Sequence, residues 1–218
     1  MKVKVLRSLV IVMLVVLVVG IGVGAQAPAA GGQGAGQGRG GGSGRGGQRG
    51  PVLTVTSSAW PDGGEVPMKH AGRGGNMSPA FEFSWMQGTN PAMPPANLAS
   101  YVVILHDIEN APRGEQPDTL HWLIWDVPGT AKGLPEGLPN GDLPDGTKQA
   151  TSNVGGGSVY FGPGAGPGPF HHYVFEFYAL DTKLNLPSTS TRAQVFMAME
   201  SHVIGKAAFV GRFHGMPQ

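Results

Sequence analysis

The sequence predicts a mainly β protein, an antiparallel β-sandwich with long Pro/Gly-rich loops and a late C-terminal helix. Three observations carry this. Six short segments after residue 50 have the alternation or apolar runs of strands, whereas one segment has helical spacing. Proline and glycine, 19 and 37 of the 218 residues, cluster between those segments. Cysteine is absent, which excludes disulfide frameworks, Cys-ligated zinc, iron–sulfur clusters and thiol nucleophiles.

The elements follow in chain order. Lys2, Lys4 and Arg7 precede an apolar run from Leu9 to Val19, and Ala25-Gln26-Ala27 supplies small residues at an exit site. A basic head, apolar middle and small-x-small exit read as a signal peptide over residues 1–27, and hence as export to the periplasm or medium. The same run left uncleaved is a membrane anchor. No acidic residue occurs in residues 28–50, and twelve of the twenty residues from Gly31 to Gly50 are glycine. Such a stretch buries too little surface to offset the entropy of ordering it, so it reads as a disordered Gly/Arg/Gln-rich tether. Residues 51–218 form the domain.

Within the domain, Leu53–Thr56 and Ala80–Trp85 alternate. Tyr101–Leu105, Leu120–Trp125 and Tyr173–Leu180 are near-continuous apolar runs, as for strands buried on both faces, and Lys206–Phe213 closes the set. Stretches 86–99, 108–118, 128–148 and 155–170 read as loops. Thr189–Ile204 reads as a helix, with Ser/Thr caps, Val195, Phe196, Met199 and Val203 at three- and four-residue steps, and Gly205 as its stop.

Charge narrows the function classes. The whole chain carries a formal +1, but every Asp and Glu lies after residue 50, where nine Lys and Arg face fourteen acids, a formal −5. A nucleic-acid binder needs the opposite sign. Polar residues then mark strand ends. Asp107 follows the third strand, His121 opens the fourth, and His171-His172-Tyr173 enter the fifth from a Gly/Pro loop. If these ends converge they make a polar pocket in an apolar wall. On spacing alone, Asp107 is equally a turn former and His121 equally a core histidine.

The motifs, taken together, resemble the phosphatidylethanolamine-binding protein family, specifically its bacterial Raf-kinase-inhibitor-like branch. Gly75-Asn76-Met77-Ser78-Pro79 with Phe83-Ser84-Trp85 is similar to the family's N-x-S-P…W opening. Asp107-Ile108-Glu109-Asn110-Ala111-Pro112 resembles its D-x-D-x-P motif, and Leu120-His121-Trp122 with Asp126-Val127-Pro128 its H-W…I-P strand. Leu134-Pro135-Glu136-Gly137, then Tyr160-Phe161-Gly162-Pro163 running on to His171-His172-Tyr173, continue the order, and Met199–Val203 resembles the helix before the last strand. Three positions depart from the pattern: Glu109 for Asp, Ala165-Gly166 for Pro-Pro, and His172 for Arg.

The resemblance implies a sandwich whose Asp107, Glu109, Pro112, His121, Gly162, Gly164, His171 and Tyr173 line a cavity for a small anion, such as a phosphate or phosphorylated head group, and it makes Ala111–Pro112 a candidate cis bond. In that cavity Asp107 is expected to orient His121 and raise its pKa, Tyr173 to donate to the guest, and Gly164, Gly166 and Gly168 to offer backbone N–H groups as a nest. Binding is then expected to be tighter at acid pH. The reading is an exported binding module, possible regulator or inhibitor of an envelope protein, without turnover, cofactor or nucleic-acid partner. Its membrane contact is expected only through an uncleaved leader. The alternative is a metal-dependent hydrolase drawing on His106, Asp107, His121, His171 and His172, with Ser158 or Tyr160 as nucleophile.

Overall fold

A computed structural model describes residues 50–111, 118–152, 154–155 and 159–215. The leader and nearly all of the tether lie outside this range, as do Pro112 with its peptide bond, and Ser158. Among the described residues there are ten strands: β1 Val52–Thr56, β2 Gly64–Glu65, β3 Phe81–Gln87, β4 Asn90–Ala92, β5 Ser100–Asp107, β6 Thr119–Pro128, β7 Gly133–Leu134, β8 Lys148–Ala150, β9 His171–Leu180 and β10 Val203–Phe213. One helix, α1, spans Arg192–Met199, and a 3-10 turn covers Met68–His70.

The strands form two sheets. One has the order β1-β3-β4, with β7 also on β3, and the other the order β2-β10-β9-β5-β6-β8. Pairing is antiparallel throughout except between β10 and the short β2. The sheets meet through aromatic side chains. Phe81 of β3 lies 4.9 Å from the rings of both Phe175 and Phe177 of β9, and Phe83 lies 4.8 Å from Tyr101 of β5. Such tilted ring pairs add attraction beyond area burial.

The apolar runs of β5 and β6 have a direct cause. Val103, Leu105, Trp122 and Ile124 face the sandwich core, while Val102, Ile104, Leu123 and Trp125 face a second core with Val195 and Met199 of α1. Both faces of this sheet are therefore covered, and no alternation is required.

Several expectations about elements need correction. The helix begins at Arg192, where Thr191 accepts from the Gln194 N–H and Gln194 answers through its side chain in a capping box. It ends at Met199, because Ser201 takes a left-handed conformation (φ 66°) and Val203 is already in strand. Gly205 is thus a strand residue, not a helix stop. A Cβ there would lie 2.7 Å from Trp85, so glycine lets the two sheets approach. The loops 86–99 and 128–148 also contain the short strands β4 and β7. Among the described residues no helix is long and apolar enough to cross a membrane.

Candidate functional site

One end of the six-stranded sheet gathers the polar residues. Asp107 closes β5 and is paired in register with Tyr173 of β9, the strand that His171 opens. Period-two alternation puts His171 and Tyr173 on one face and His172 on the other. His121 reaches the same inner face by a different device. Leu105 pairs with Trp122 but His106 pairs with Leu120, so His121 is the extra residue of a β-bulge in β6. The bulge re-aims its ring toward the core side, where it meets Tyr173 edge-on at 5.2 Å.

The side chains then interlock. His171 Nδ1 lies 2.8 Å from Asp107 Oδ2 and 3.1 Å from Oδ1. Asp107 Oδ1 also accepts the N–H groups of Glu109 and Asn110, both at 3.1 Å, in a local turn that fixes the carboxylate. The Tyr173 hydroxyl oxygen accepts the N–H groups of Gly164 at 3.0 Å and Ala165 at 2.9 Å. Burial, with the Asp107 carboxylate beside it, raises the Tyr173 pKa.

His121 differs from expectation. Its Nδ1 donates to the Phe161 carbonyl at 2.7 Å, while the Phe161 N–H donates back to the His121 carbonyl at 3.0 Å. Burial lowers its pKa, and the raising effects of the Phe161 carbonyl and the Asp107 charge do not overcome that. His121 is therefore neutral at neutral pH, and the side-chain partner of Asp107 is His171. Tyr173 and the N–H groups of Gly164 and Ala165 are also committed to one another rather than aimed at a guest. Gly162 sits against the backbone, its N–H on Asn76 Oδ1 at 2.9 Å, and a Cβ there would lie 1.9 Å from the His70 carbonyl oxygen. These glycines pack into the loop beside the cluster.

Glu109 and His172, two of the positions that depart from the family pattern, meet one another. His172 Nδ1 is 2.6 Å from Glu109 Oε1, and the His172 N–H donates to Oε2 at 2.7 Å. Partial burial raises the Glu109 pKa, but the hydrogen bonds from His172 and the nearby imidazoles bring it below the ordinary carboxylate value. The cluster meets solvent on this side. The side chains of Glu109 and His171 are 37% and 31% exposed, against 3% for Asp107.

Sequence reasoning missed Asn76 as a positioning residue. In a left-handed conformation (φ 48°) it donates to the Tyr160 carbonyl at 3.2 Å and accepts from Gly162, clamping the loop that feeds the site. Asparagine within Gly75-Asn76-Met77-Ser78-Pro79 was the available signal, since Asn tolerates that backbone region. Of the residues of the hydrolase alternative, Asp107, His121 and His171 gather at this sheet end, whereas His106, His172 and Tyr160 are engaged elsewhere. His106 lies on the opposite face, its Nδ1 2.5 Å from Asp118 Oδ2, and His172 also leaves the inner face. The Tyr160 hydroxyl donates to the His70 carbonyl, and burial raises its pKa.

This fold is a β-sandwich with an acid–histidine–tyrosine cluster at one sheet end. Residues 56–214 match the phosphatidylethanolamine-binding protein family, and the chain belongs to that family. It is 32% identical over 162 residues to a protein of Methanothermobacter thermautotrophicus, covering 74% of this chain and 98% of the relative. It is also 32% identical over 167 residues to a Mycobacterium tuberculosis protein designated lipoprotein LppC, covering 75% and 73%. Two solved structures are similar at 26% identity and a TM-score of 0.62. They are the phosphatidylethanolamine-binding protein homolog CT736 of Chlamydia trachomatis, covering 74% of this chain and 97% of that one, and YbcL of Escherichia coli, covering 75% and 99%.

Proposed function

We propose that this protein is an exported binding module, without turnover, for a small anion of the phosphate or phosphorylated-head-group class. The observation that carries the reading is the convergence of buried Asp107, His121 and Tyr173 with half-open His171 at one sheet end. Buried polar groups are costly unless they are satisfied, so a cluster of them beside an opening is the usual form of a ligand site. The basic-apolar-small leader supports export and cleavage after residue 27, and similarity to a relative designated a lipoprotein supports export. Within the family, the motif order supports the Raf-kinase-inhibitor-like branch, and a partner protein in the cell envelope would then be the regulated target.

The structure changes how the anion is held. His121 is neutral in the free protein, so a guest's negative charge draws a proton onto it, and binding couples to proton uptake. Isothermal titration of the full chain with inorganic phosphate and phosphoethanolamine tests this. Affinity is expected to be higher at about pH 5.5 than at about pH 8, on either side of the ordinary histidine value of about 6.5. Sulfate, whose charge is constant over that range, controls for titration of the phosphate. His121→Ala should abolish binding while leaving the circular dichroism spectrum unchanged, and wild-type affinity in that variant would refute the assignment.

A further inference from the structure

We propose that Asp107, Glu109 and His171 hold one divalent transition-metal cation, of the Zn²⁺ or Mn²⁺ class, at the solvent-facing side of the cluster. This deepens the anion-binding reading and rests on it only for the identity of the remaining ligand. One ligand atom from each of the three residues lies within 4.8 Å of the other two. Around a cation with bonds of about 2.0–2.2 Å, tetrahedral ligand atoms are about 3.4 Å apart, so a small contraction closes the site.

Each of the three ligands is held in place by the surrounding strands and turn. Asp107 ends β5 and spends Oδ1 on the Glu109 and Asn110 N–H groups, which leaves Oδ2 toward His171. Glu109 is steered by His172 from the opposite face, and the His171 ring stacks over Tyr173 at 6.5 Å. An imidazole nitrogen with two carboxylate oxygens is a donor set for Zn²⁺ or Mn²⁺ rather than for thiophilic ions. Three protein ligands beside an open fourth position is the form of an exchangeable site.

Among the described residues, the partners of the two carboxylates are His171, His172 and backbone N–H groups. A dication between the two carboxylates offsets their mutual repulsion. When it binds, the hydrogen bond between His171 Nδ1 and Asp107 Oδ2 gives way to bonds from both atoms to the cation. The exposed side at Glu109 and His171 then leaves the open position to a water or to a phosphoryl oxygen of the guest.

The test uses the full chain, stripped with EDTA and desalted, then titrated with MnCl₂ while free Mn²⁺ is followed by electron paramagnetic resonance, and with ZnCl₂ by calorimetry. A single cation per chain is expected. Glu109→Gln, an exposed substitution whose fold is checked by circular dichroism, should weaken Mn²⁺ binding at least tenfold, and His171→Asn should do the same. His202→Ala, whose ring pairs with Asp181 elsewhere, should bind as wild type. No Mn²⁺ binding, equal affinity in Glu109→Gln, or equal loss in His202→Ala overturns the site. Phosphate titrated in EDTA separates the two ideas: binding there with no Mn²⁺ affinity leaves the anion reading standing and removes the cation.

Discussion

Asp107 and His171 are 64 residues apart in the chain, yet their side chains face one another at 2.8 Å across neighbouring antiparallel strands. The contact exists because β5 ends where β9 begins, so a strand-end acid and a strand-start histidine fall on one face. The Asp107 carboxylate thereby orients His171.

Asp107→Asn separates orientation from charge. The amide oxygen still accepts the Glu109 and Asn110 N–H groups, but the charged partner of His171 and Tyr173 is lost. Hydrogen bonds to charged groups are worth about 1.5–3 kcal/mol, and urea denaturation is expected to show a loss of that order. Anion affinity should fall about tenfold because the imidazole is released. An affinity that rises would mean the carboxylate acts only by repulsion.

Stability should depend on His121 at mildly acid pH. Its folded pKa is depressed by burial, so below about 6.5 the unfolded chain binds the proton that the folded chain refuses. Stability is therefore full above that value and declines as pH falls toward the lower folded value. Urea midpoints from about pH 7.5 down to about pH 5 should show the decline, with a flatter profile for His121→Gln.

Two glycines of the site loop should respond oppositely. A Cβ on Gly162 would lie 1.9 Å from the His70 carbonyl oxygen, a backbone atom that cannot swing away, whereas a Cβ on Gly166 meets nothing within 4 Å. Gly162→Ala is expected to cost about 3 kcal/mol, the upper range for overpacking, and Gly166→Ala about 0.5 kcal/mol or less. Thermal unfolding of both variants checks the contrast.

Tyr173→Phe should loosen the loop. The hydroxyl accepts two backbone N–H groups, and its loss leaves both without that acceptor, at about 1–3 kcal/mol for each donor that stays buried. Hydrogen exchange at Gly164 and Ala165 should accelerate while exchange in the middle of β9 stays slow. Unchanged protection at those two amides would show that the Tyr173 hydroxyl does not hold the loop.

How much was legible in the sequence follows from where each signal resides. The two-sided burial of β5 and β6 was readable from apolar runs, and the strand-end positions of Asp107 and His171 from the order of motifs. The placement of His121 was not readable, because a β-bulge is a register property visible only against the partner strand. For the same reason the expected Asp107–His121 pairing is replaced by Asp107–His171, with backbone carbonyls as partners of His121. Backbone acceptors leave no mark in a sequence. Helical spacing overran α1 at its C-terminal side, since Val203 fits both periods and only the left-handed Ser201 decides between them.

The central claim, that these side chains receive one anionic guest together, is tested most directly by following histidine ring ¹⁵N signals during titration with inorganic phosphate. The account predicts that His121 and His171 shift together and saturate at one common concentration, while His202, paired with Asp181 elsewhere, stays still. Shifts of His202 alongside the other two, or no saturable shift of His121 and His171, would contradict it.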